Sequence, residues 1–386
     1  MTFSSTSIRP TLLFHVGDPK TGTSSIQRAL WERSARHRST TYKPWIELNA
    51  MDLSKYFLKK PDHKPVMMSE LQSWLQGCKE DLAVVSSEFF TGVPPRQLRA
   101  AIDRELPDFA EQCRGIAYVR PHSSRYLASY VQRSKSGVIT ETPDSFFDAF
   151  SYMKMHQYTY RFRRWRRNFR KNFTLRPFIR RELLNNDIVD DFFGTVFGDS
   201  NFKLERRISE NTSITDVSLA ALLCIQNELI SSGLSGHLRA MAGSTIANFY
   251  LPSLHQRGDK PWLAKQTVEK IYNLTAEDAQ ELDSRFFRRP LMFPELQKAV
   301  ESAQDLHMEV DVAAHFSMAQ VSEIKLISGH IAEQIQKCSS AWSLHARHQQ
   351  NLIELSFAQQ ALLLANRRAL SELDVLFEAA AELIAD

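Results

Sequence analysis

The stretch LLFHVGDPKTGTSSIQRAL, residues 12–30, combines two different patterns of apolar residues. Its first part is a short apolar run that ends in glycine, which is typical of a buried strand. Its last part has Ile26 and Leu30 about one helical turn apart, after a group of Ser and Thr residues that can cap a helix. The stretch therefore predicts a strand, a tight loop and a helix, which is the context of a phosphate-binding loop.

Gly17 and Gly22 have the spacing of a Walker A motif, but the lysine of this loop is displaced. A Walker A motif places Lys and Ser or Thr directly after its second glycine, whereas here Lys20 lies two residues before Gly22. This displacement argues against hydrolysis of ATP with magnesium. It also counts against a small-molecule kinase on a related fold.

The loop nevertheless has the groups that bind an anion. Backbone N–H groups and the helix dipole attract negative charge at a helix start, hydroxyls donate hydrogen bonds, and a lysine supplies a compact cation. A helix-capping turn without a ligand is the alternative interpretation. The candidate ligands of the anion are Lys20, Thr21, Gly22, Thr23, Ser24 and Ser25.

Further strands are predicted where short apolar runs alternate with helical segments, at residues 82–90, 114–121 and 173–178. Such alternation is typical of a parallel sheet covered by helices on both faces. We therefore predict an α/β fold, a three-layer parallel sheet of the P-loop nucleotide-binding type, with a C-terminal helical extension.

Composition limits the class of protein. The chain has 386 residues, 43% hydrophobic residues and a net charge of +4, which suits a soluble globular protein and does not demand nucleic acid. The four cysteines are far apart and form no CxxC pair, so we expect no zinc site and no disulfide framework. No stretch approaches the roughly 20 apolar residues of a membrane span. We expect a soluble, cytoplasmic protein.

A second strand–loop–helix unit, AYVRPHSSRYLASYVQRSKSG, occupies residues 117–137. Arg120 lies at the predicted strand end, and Ser129 lies about two turns into the following helix. An arginine fork and a hydroxyl can hold a phosphate, although Arg120 could also be an exposed loop residue. Together the two units indicate a ligand with two separated phosphates.

The segment HVGDPKTGTSSIQ resembles the 5′-phosphosulfate loop of sulfotransferases that use 3′-phosphoadenosine 5′-phosphosulfate (PAPS), whose usual form is PKxGTT or PKxGTS. YVRPHSSRYLASYVQ is similar to the 3′-phosphate segment of that family, and further segments resemble its bacterial carbohydrate-type members. The resemblance covers residues 10–315. It implies a sulfotransferase-like α/β domain over residues 1–316 and a separate helical extension over residues 317–386.

The resemblance also implies a reaction. PAPS would be the co-substrate, no metal would be needed, and a sulfuryl group would move by in-line displacement to a hydroxyl or amine of a carbohydrate acceptor. That acceptor would be a surface polysaccharide or a glycolipid precursor. A non-catalytic nucleotide-binding protein that acts through its helical tail is the alternative.

The resemblance also implies which residues bind the two phosphates of PAPS and which residue assists the leaving group. Lys20 would stabilise the leaving phosphate oxygen, the loop hydroxyls and amides would hold the 5′ phosphate, and Arg120 with Ser129 would hold the 3′ phosphate. Many family members have the serine eight residues after the arginine, where this chain has Ala128, so Ser123 is an alternative to Ser129. Asp18 in the loop would repel the donor unless it points away or pairs with a cation.

The general base is expected at the carboxyl end of a strand, where sites in open α/β sheets lie. Glu88 follows the apolar run LAVVSS and is the first candidate, with a cap or a salt bridge as its alternative role. His15 and His122 are the other candidates, and each could instead be a structural histidine.

Residues 161–171 include seven basic residues. We favour a solvated helix face for this segment. The alternative is a binding track for an anionic acceptor with Trp165 stacked on a sugar, and nucleic acid is disfavoured by the mild net charge.

Residues 352–383 have a heptad-like apolar stripe from Leu352 through Leu362 and Leu373 to Leu383. This pattern predicts either a helical hairpin packed on its own domain or a coiled coil that makes a homo-oligomer. Asn366 on the stripe would fix the register of a coiled coil.

Overall fold

The computed structural model describes residues 9–59, 66–154, 156–205, 214–351 and 355–385. Contacts within the chain define two compact units, each formed by three segments. The first unit comprises Met1–Pro121, Gln157–Glu210 and Glu277–Phe293. The second unit comprises His122–His156, Asn211–Ala276 and Pro294–Asp386.

The first unit contains all the strands of the described residues. They are β1 (Thr11–Val16), β2 (Ala35–His37), β3 (Tyr42–Pro44), β4 (Leu82–Ser87), β5 (Arg114–Val119), β6 (Phe173–Pro177) and β7 (Phe202–Leu204). Five of them form a sheet in the order β3-β4-β1-β5-β6, in which every neighbouring pair is parallel. Strands β2 and β7 form a separate antiparallel pair. The α/β fold with a parallel sheet is confirmed.

Helices account for most of the remaining chain. They are α1 (Thr23–Trp31), α2 (Met51–Phe57), α3 (Met67–Gln76), α4 (Pro95–Glu105), α5 (Pro107–Ala110), α6 (His122–Lys135), α7 (Phe146–Tyr152), α8 (Tyr158–Phe169), α9 (Ile188–Phe197), α10 (Asp216–Ser231), α11 (Gly236–Thr245), α12 (Lys265–Leu282), α13 (Met292–Glu301), α14 (Met318–Lys337), α15 (Ser339–Asn351), α16 (Phe357–Ala365) and α17 (Arg367–Ala385). Among them, α12 and α13 contribute residues to both units.

Helices cover both faces of the sheet in the first unit. Ile116 and Tyr118 of β5 belong to the buried cluster that includes side chains of α1 and α9. Gly115 faces the opposite side, where a Cβ atom would lie 3.1 Å from Phe173 and 3.9 Å from Trp165 of α8. Successive strand residues point to opposite faces, so the sheet is buried between two helical layers.

Parallel register brings the carboxyl ends of the central strands to one edge of the sheet. Val16, the last residue of β1, pairs with Ser87 of β4 and with Ala117 of β5. The residues that follow these strands therefore gather at that edge, which is where ligands bind in open α/β sheets.

The second unit is helical and is built around α10. This helix is buried on nearly all sides, which explains its weak amphipathic pattern, and it contacts α6, α11, α14 and α17. Within the part of the chain that the structure describes, no helix has the length and apolar character to cross a membrane.

The C-terminal stripe has a partner in its own chain, because α17 packs on α14. The ring centroids of Phe377 and Trp342 lie 5.1 Å apart, and Tyr250 donates a hydrogen bond of 2.8 Å to Asp374. This packing matches the helical-hairpin alternative. Association between chains, and the boundary after residue 316, remain predictions.

The heptad-like stripe does not lie on one helix, because the chain breaks between α16 and α17 at Asn366. The side-chain amide of Asn366 donates to the Leu362 carbonyl at 2.9 Å and so competes with the helix backbone. Leu362 is exposed, whereas Leu373 on the far side of the interruption is buried. Leu352 lies outside the described residues.

Candidate functional site

The loop between β1 and α1 contains two residues in the left-handed region of backbone space. Lys20 has φ 71° and Gly22 has φ 75°. A Cβ atom at Gly22 would lie 2.9 Å from the Ile188 side chain, so this position requires glycine. The lysine pays about 1–2 kcal/mol for the same conformation. Seven other non-glycine residues of the described chain share a positive φ, so the conformation of Lys20 gains meaning only from its place in the loop.

The start of α1 leaves hydrogen-bond donors available. Gly22 occupies the N-cap position, and among the described residues no side chain caps the helix. The first amides, which have no intrahelical acceptor, are therefore not capped by a side chain either. Thr23 is only 6% exposed, and its hydroxyl makes no hydrogen bond within the described residues. A capping turn of the ordinary kind would place a Ser or Thr oxygen on these amides. The first amides of α1 and the Thr23 hydroxyl are therefore hydrogen-bond donors that an anion could satisfy.

The remaining hydroxyls of the loop differ in exposure. Thr21 is buried and donates a hydrogen bond of 2.6 Å to the Asp18 carbonyl, which closes the turn before Gly22. Ser24 is exposed, whereas Ser25 is buried. The structure thus gives Thr21 a role in shaping the loop.

Asp18 is 0% exposed, and its carboxylate pairs with Arg161 of α8 across 2.7 Å. The same guanidinium nitrogen donates to the Thr91 hydroxyl at 3.0 Å. Asp18 is expected to repel the donor unless it points away or pairs with a cation. The ion pair with Arg161 supplies that cation.

Glu88 lies directly beside the loop. The Gly17 amide donates to the Ser87 carbonyl at 3.1 Å, which continues the pairing of β1 with β4 one residue beyond the end of β1. A Cβ atom at Gly17 would lie 2.9 Å from the Glu88 Cα and 2.8 Å from Thr23. Only glycine permits this approach, and it holds the half-buried Glu88 against the head of the loop.

Arg120 lies on the other side of the loop, directly after β5. Its Nη1 donates to the Lys20 carbonyl at 3.2 Å, and its guanidinium lies over the Phe178 ring at 5.7 Å. The Tyr158 hydroxyl donates to the Arg120 carbonyl at 3.0 Å. The first unit therefore brings Lys20, Glu88 and Arg120 together at one edge of the sheet.

His15 lies inside the core of the first unit. Its Nδ1 and the Ser86 hydroxyl share a hydrogen bond of 2.8 Å, and its ring contacts Tyr118 and Phe192 edge-on. Burial lowers the pKa of His15 to about 3, so the imidazole is neutral at physiological pH. These surroundings match the alternative of a structural histidine.

Three candidates belong to α6 in the second unit. His122 is buried and its Nε2 donates to the His156 carbonyl at 3.2 Å. Ser129 donates to the Arg125 carbonyl at 2.7 Å and accepts a hydrogen bond from the Arg125 guanidinium at 2.5 Å. Ser123 is also buried. Their assignments to the base and to the 3′ phosphate remain predictions.

The basic segment divides between a buried face and a solvated face of α8. Trp165 is 0% exposed and stacks with Phe169 and Phe173, so the alternative of a sugar stacked on Trp165 is wrong. Trp165 lies on the buried side of the amphipathic helix α8, where neither face of its indole ring is accessible to a sugar. Arg163 and Arg164 are exposed, as expected of a solvated face.

Sequence reasoning missed Arg161 and Tyr158 as members of the site. A signal for Arg161 existed, because a carboxylate inside an anion-binding loop needs a cation nearby. Nothing in the sequence singled out Tyr158. Across the described ranges, no group of three or more His, Cys, Asp or Glu side chains is arranged to hold a metal ion.

Comparison with known proteins gives one distant similarity. No protein-family model and no curated protein matches the sequence. Among solved structures, a sulfotransferase from Alicyclobacillus acidocaldarius is 14% identical to this chain, with a TM-score of 0.41. The match covers 75% of this chain and 99% of that chain.

Proposed function

We propose that the protein is a sulfotransferase of the P-loop type that moves a sulfuryl group from PAPS to a hydroxyl or amine of a carbohydrate. The observation that carries the proposal is the strained Lys20–Gly22 turn, with unsatisfied donors behind it and with Glu88 and Arg120 on its two sides.

The 5′ phosphosulfate fits the donors of the loop. The amides at the start of α1 and the Thr23 hydroxyl can surround the phosphate, and Ser24 and Ser25 add hydroxyls from the same turn. Lys20 would lie beside the oxygen that bridges phosphorus and sulfur. Its ammonium group can follow the negative charge that develops on this oxygen.

The 3′ phosphate would bind Arg120. This guanidinium donates to the neutral carbonyl of Lys20, which is a weaker acceptor than a phosphate oxygen. Binding of the donor would exchange one acceptor for the other. The serine that assists Arg120 is Ser129 or Ser123 in this proposal.

The reaction is an in-line displacement at sulfur. The acceptor oxygen or nitrogen forms a bond to sulfur while the bond between sulfur and the bridging phosphate oxygen breaks. The electron pair of that bond goes to the phosphate, and adenosine 3′,5′-bisphosphate leaves. Glu88 takes the proton of the acceptor, because it lies beside the head of the loop at the carboxyl end of β4.

The surroundings of the cysteines support an intracellular site of action. All four cysteines are free thiols, and three of them are buried. Free buried thiols are usual in the reducing cytoplasm, where we place the protein. The acceptor would be a polysaccharide or a glycolipid precursor present in that compartment.

Adenosine 3′,5′-bisphosphate is expected to raise the melting temperature of the protein, because it binds only the folded state. At 100 times its Kd the stabilisation is about 2.7 kcal/mol. ATP with magnesium should have little effect, since the loop lacks the lysine position of a Walker A motif. Thermal unfolding with each nucleotide measures the difference.

Arg120→Ala should remove most of the preference for the bisphosphate. Arg114→Ala is the matched control, because Arg114 is exposed at the opposite end of the same strand. Equal stabilisation of the unaltered protein by ATP would mean that the donor is not PAPS.

A further inference from the structure

The carboxylate of Asp18 is an unexpected group in an anion-binding loop. It is 0% exposed and lies two residues before Lys20. A buried charge without a partner costs several kcal/mol, and a carboxylate beside a phosphate site would also repel the ligand. The loop therefore depends on the group that neutralises Asp18.

Arg161 supplies that neutralisation, and its guanidinium is held from several sides. Its Nη1 contacts the Asp18 carboxylate at 2.7 Å and the Thr91 hydroxyl at 3.0 Å. Its guanidinium carbon lies 5.3 Å from the Tyr158 ring centroid and 5.2 Å from that of Phe162. A lysine could not reproduce this planar, stacked arrangement.

Thr91 connects the same guanidinium to the segment of the proposed base. It belongs to the short 3-10 turn Glu88–Gly92, which begins with Glu88. Arg161 thus joins the loop that carries Lys20 to the turn that carries Glu88.

The first turn of α8 is itself fixed in place. The Asp278 carboxylate accepts hydrogen bonds from the amides of Tyr158 and Thr159 at 3.1 Å and 2.9 Å. The Tyr158 hydroxyl bonds the Arg120 carbonyl at 3.0 Å. The first turn of α8 therefore contacts the Arg120 backbone and carries Arg161, which contacts the side chains of Asp18 and Thr91.

We propose that Arg161 is a positioning residue, which sets the loop of Lys20 against Glu88 and neutralises Asp18 so that the loop accepts a phosphosulfate. The inference rests on the proposed function for its link to catalysis. Its structural part, the ordering of residues 17–25, does not depend on the identity of the ligand.

The first test measures hydrogen exchange of the loop amides in the ligand-free protein. Arg161→Met retains the packing of the side-chain stem and removes the charge. We expect faster exchange in a peptide covering residues 12–30, without a change in β6. Arg164→Met is the matched control, because Arg164 lies on the exposed face of the same helix. Unchanged loop exchange in Arg161→Met would overturn the positioning role, whatever the protein binds.

The second test measures the affinity for adenosine 3′,5′-bisphosphate and the kinetics of transfer. In Arg161→Met the Kd should rise on the order of tenfold, since the Asp18 carboxylate loses the guanidinium that offsets its repulsion of the ligand. The kcat should fall about 10- to 100-fold, because Lys20 and Glu88 lose their alignment. The double variant Asp18→Asn/Arg161→Met should recover the affinity but not the kcat, because the link to Thr91 is still missing.

The outcomes separate the two proposals. A purely structural pair would lower the melting temperature of Arg161→Met and leave the Kd of the folded protein unchanged, which would overturn the inference. If the unaltered protein binds no bisphosphate while loop exchange responds to Arg161→Met, the proposed function is wrong and the positioning of the loop stands.

Discussion

Replacing Lys20 by glycine is expected to slow sulfuryl transfer by about two to three orders of magnitude while leaving the protein at least as stable as before. The ammonium group would be lost from the bridging oxygen, and removal of one such stabilising group lowers kcat by about 10²–10³. Glycine adopts the φ of 71° without strain, which offsets the greater flexibility of glycine in the unfolded chain. Transfer kinetics and thermal unfolding of the same preparation measure both effects.

Arg33→Gly is the matched control for this substitution. Arg33 also has a positive φ, of 50°, and it lies exposed just after α1 at the end away from the loop. It should show the same small change in stability with unchanged kcat. A Lys20→Gly protein that keeps its kcat and loses only donor affinity would remove Lys20 from the chemical step.

Glu88→Gln is expected to lower kcat by about 10²–10⁴, the usual contribution of a general base. Glutamine has nearly the same shape as glutamate but cannot take the acceptor proton. The affinity for adenosine 3′,5′-bisphosphate should stay within about threefold, because the substitution leaves the loop intact. Rates at saturating donor, together with calorimetric binding of the bisphosphate, separate the two quantities.

The control for Glu88 lies at the other end of the same strand. Asp81 precedes β4 and accepts hydrogen bonds of 2.7 Å and 2.8 Å from the amide and hydroxyl of Thr41. Six strand residues place it about 20 Å from the edge where the loop lies. Asp81→Asn should lower stability and leave kcat unchanged. If Glu88→Gln retains full kcat, the base must be sought elsewhere, and the buried His122 is the next candidate to replace.

The strand, loop and helix of residues 12–30 could be predicted because they depend on local patterns. A buried run that ends in glycine and a capped amphipathic helix are both visible in a window of a few residues. The parallel sheet followed from the alternation of strands and helices, and with it the proximity of Glu88 and Arg120 to the loop. The three-residue strands β2, β3 and β7 were too short to give such a pattern.

The parts of the site that escaped prediction depend on distant contacts. Asp18 and Arg161 are 143 residues apart in the sequence, and no local pattern pairs them. The burial of Trp165 likewise follows from the placement of α8 on the sheet, which a cluster of basic residues does not reveal. The break at Asn366 has a local cause, since asparagine favours helix ends, but the heptad pattern alone did not place it.

Transfer of a labelled sulfuryl group from PAPS to a panel of carbohydrate acceptors tests the central claim most directly. The account predicts label in an acceptor together with one equivalent of adenosine 3′,5′-bisphosphate, retained in Arg33→Gly and lost in Lys20→Gly. Donor that binds but is recovered intact with every acceptor, with equal affinity for the unaltered and Lys20→Gly proteins, would contradict it and would favour a non-catalytic nucleotide-binding protein.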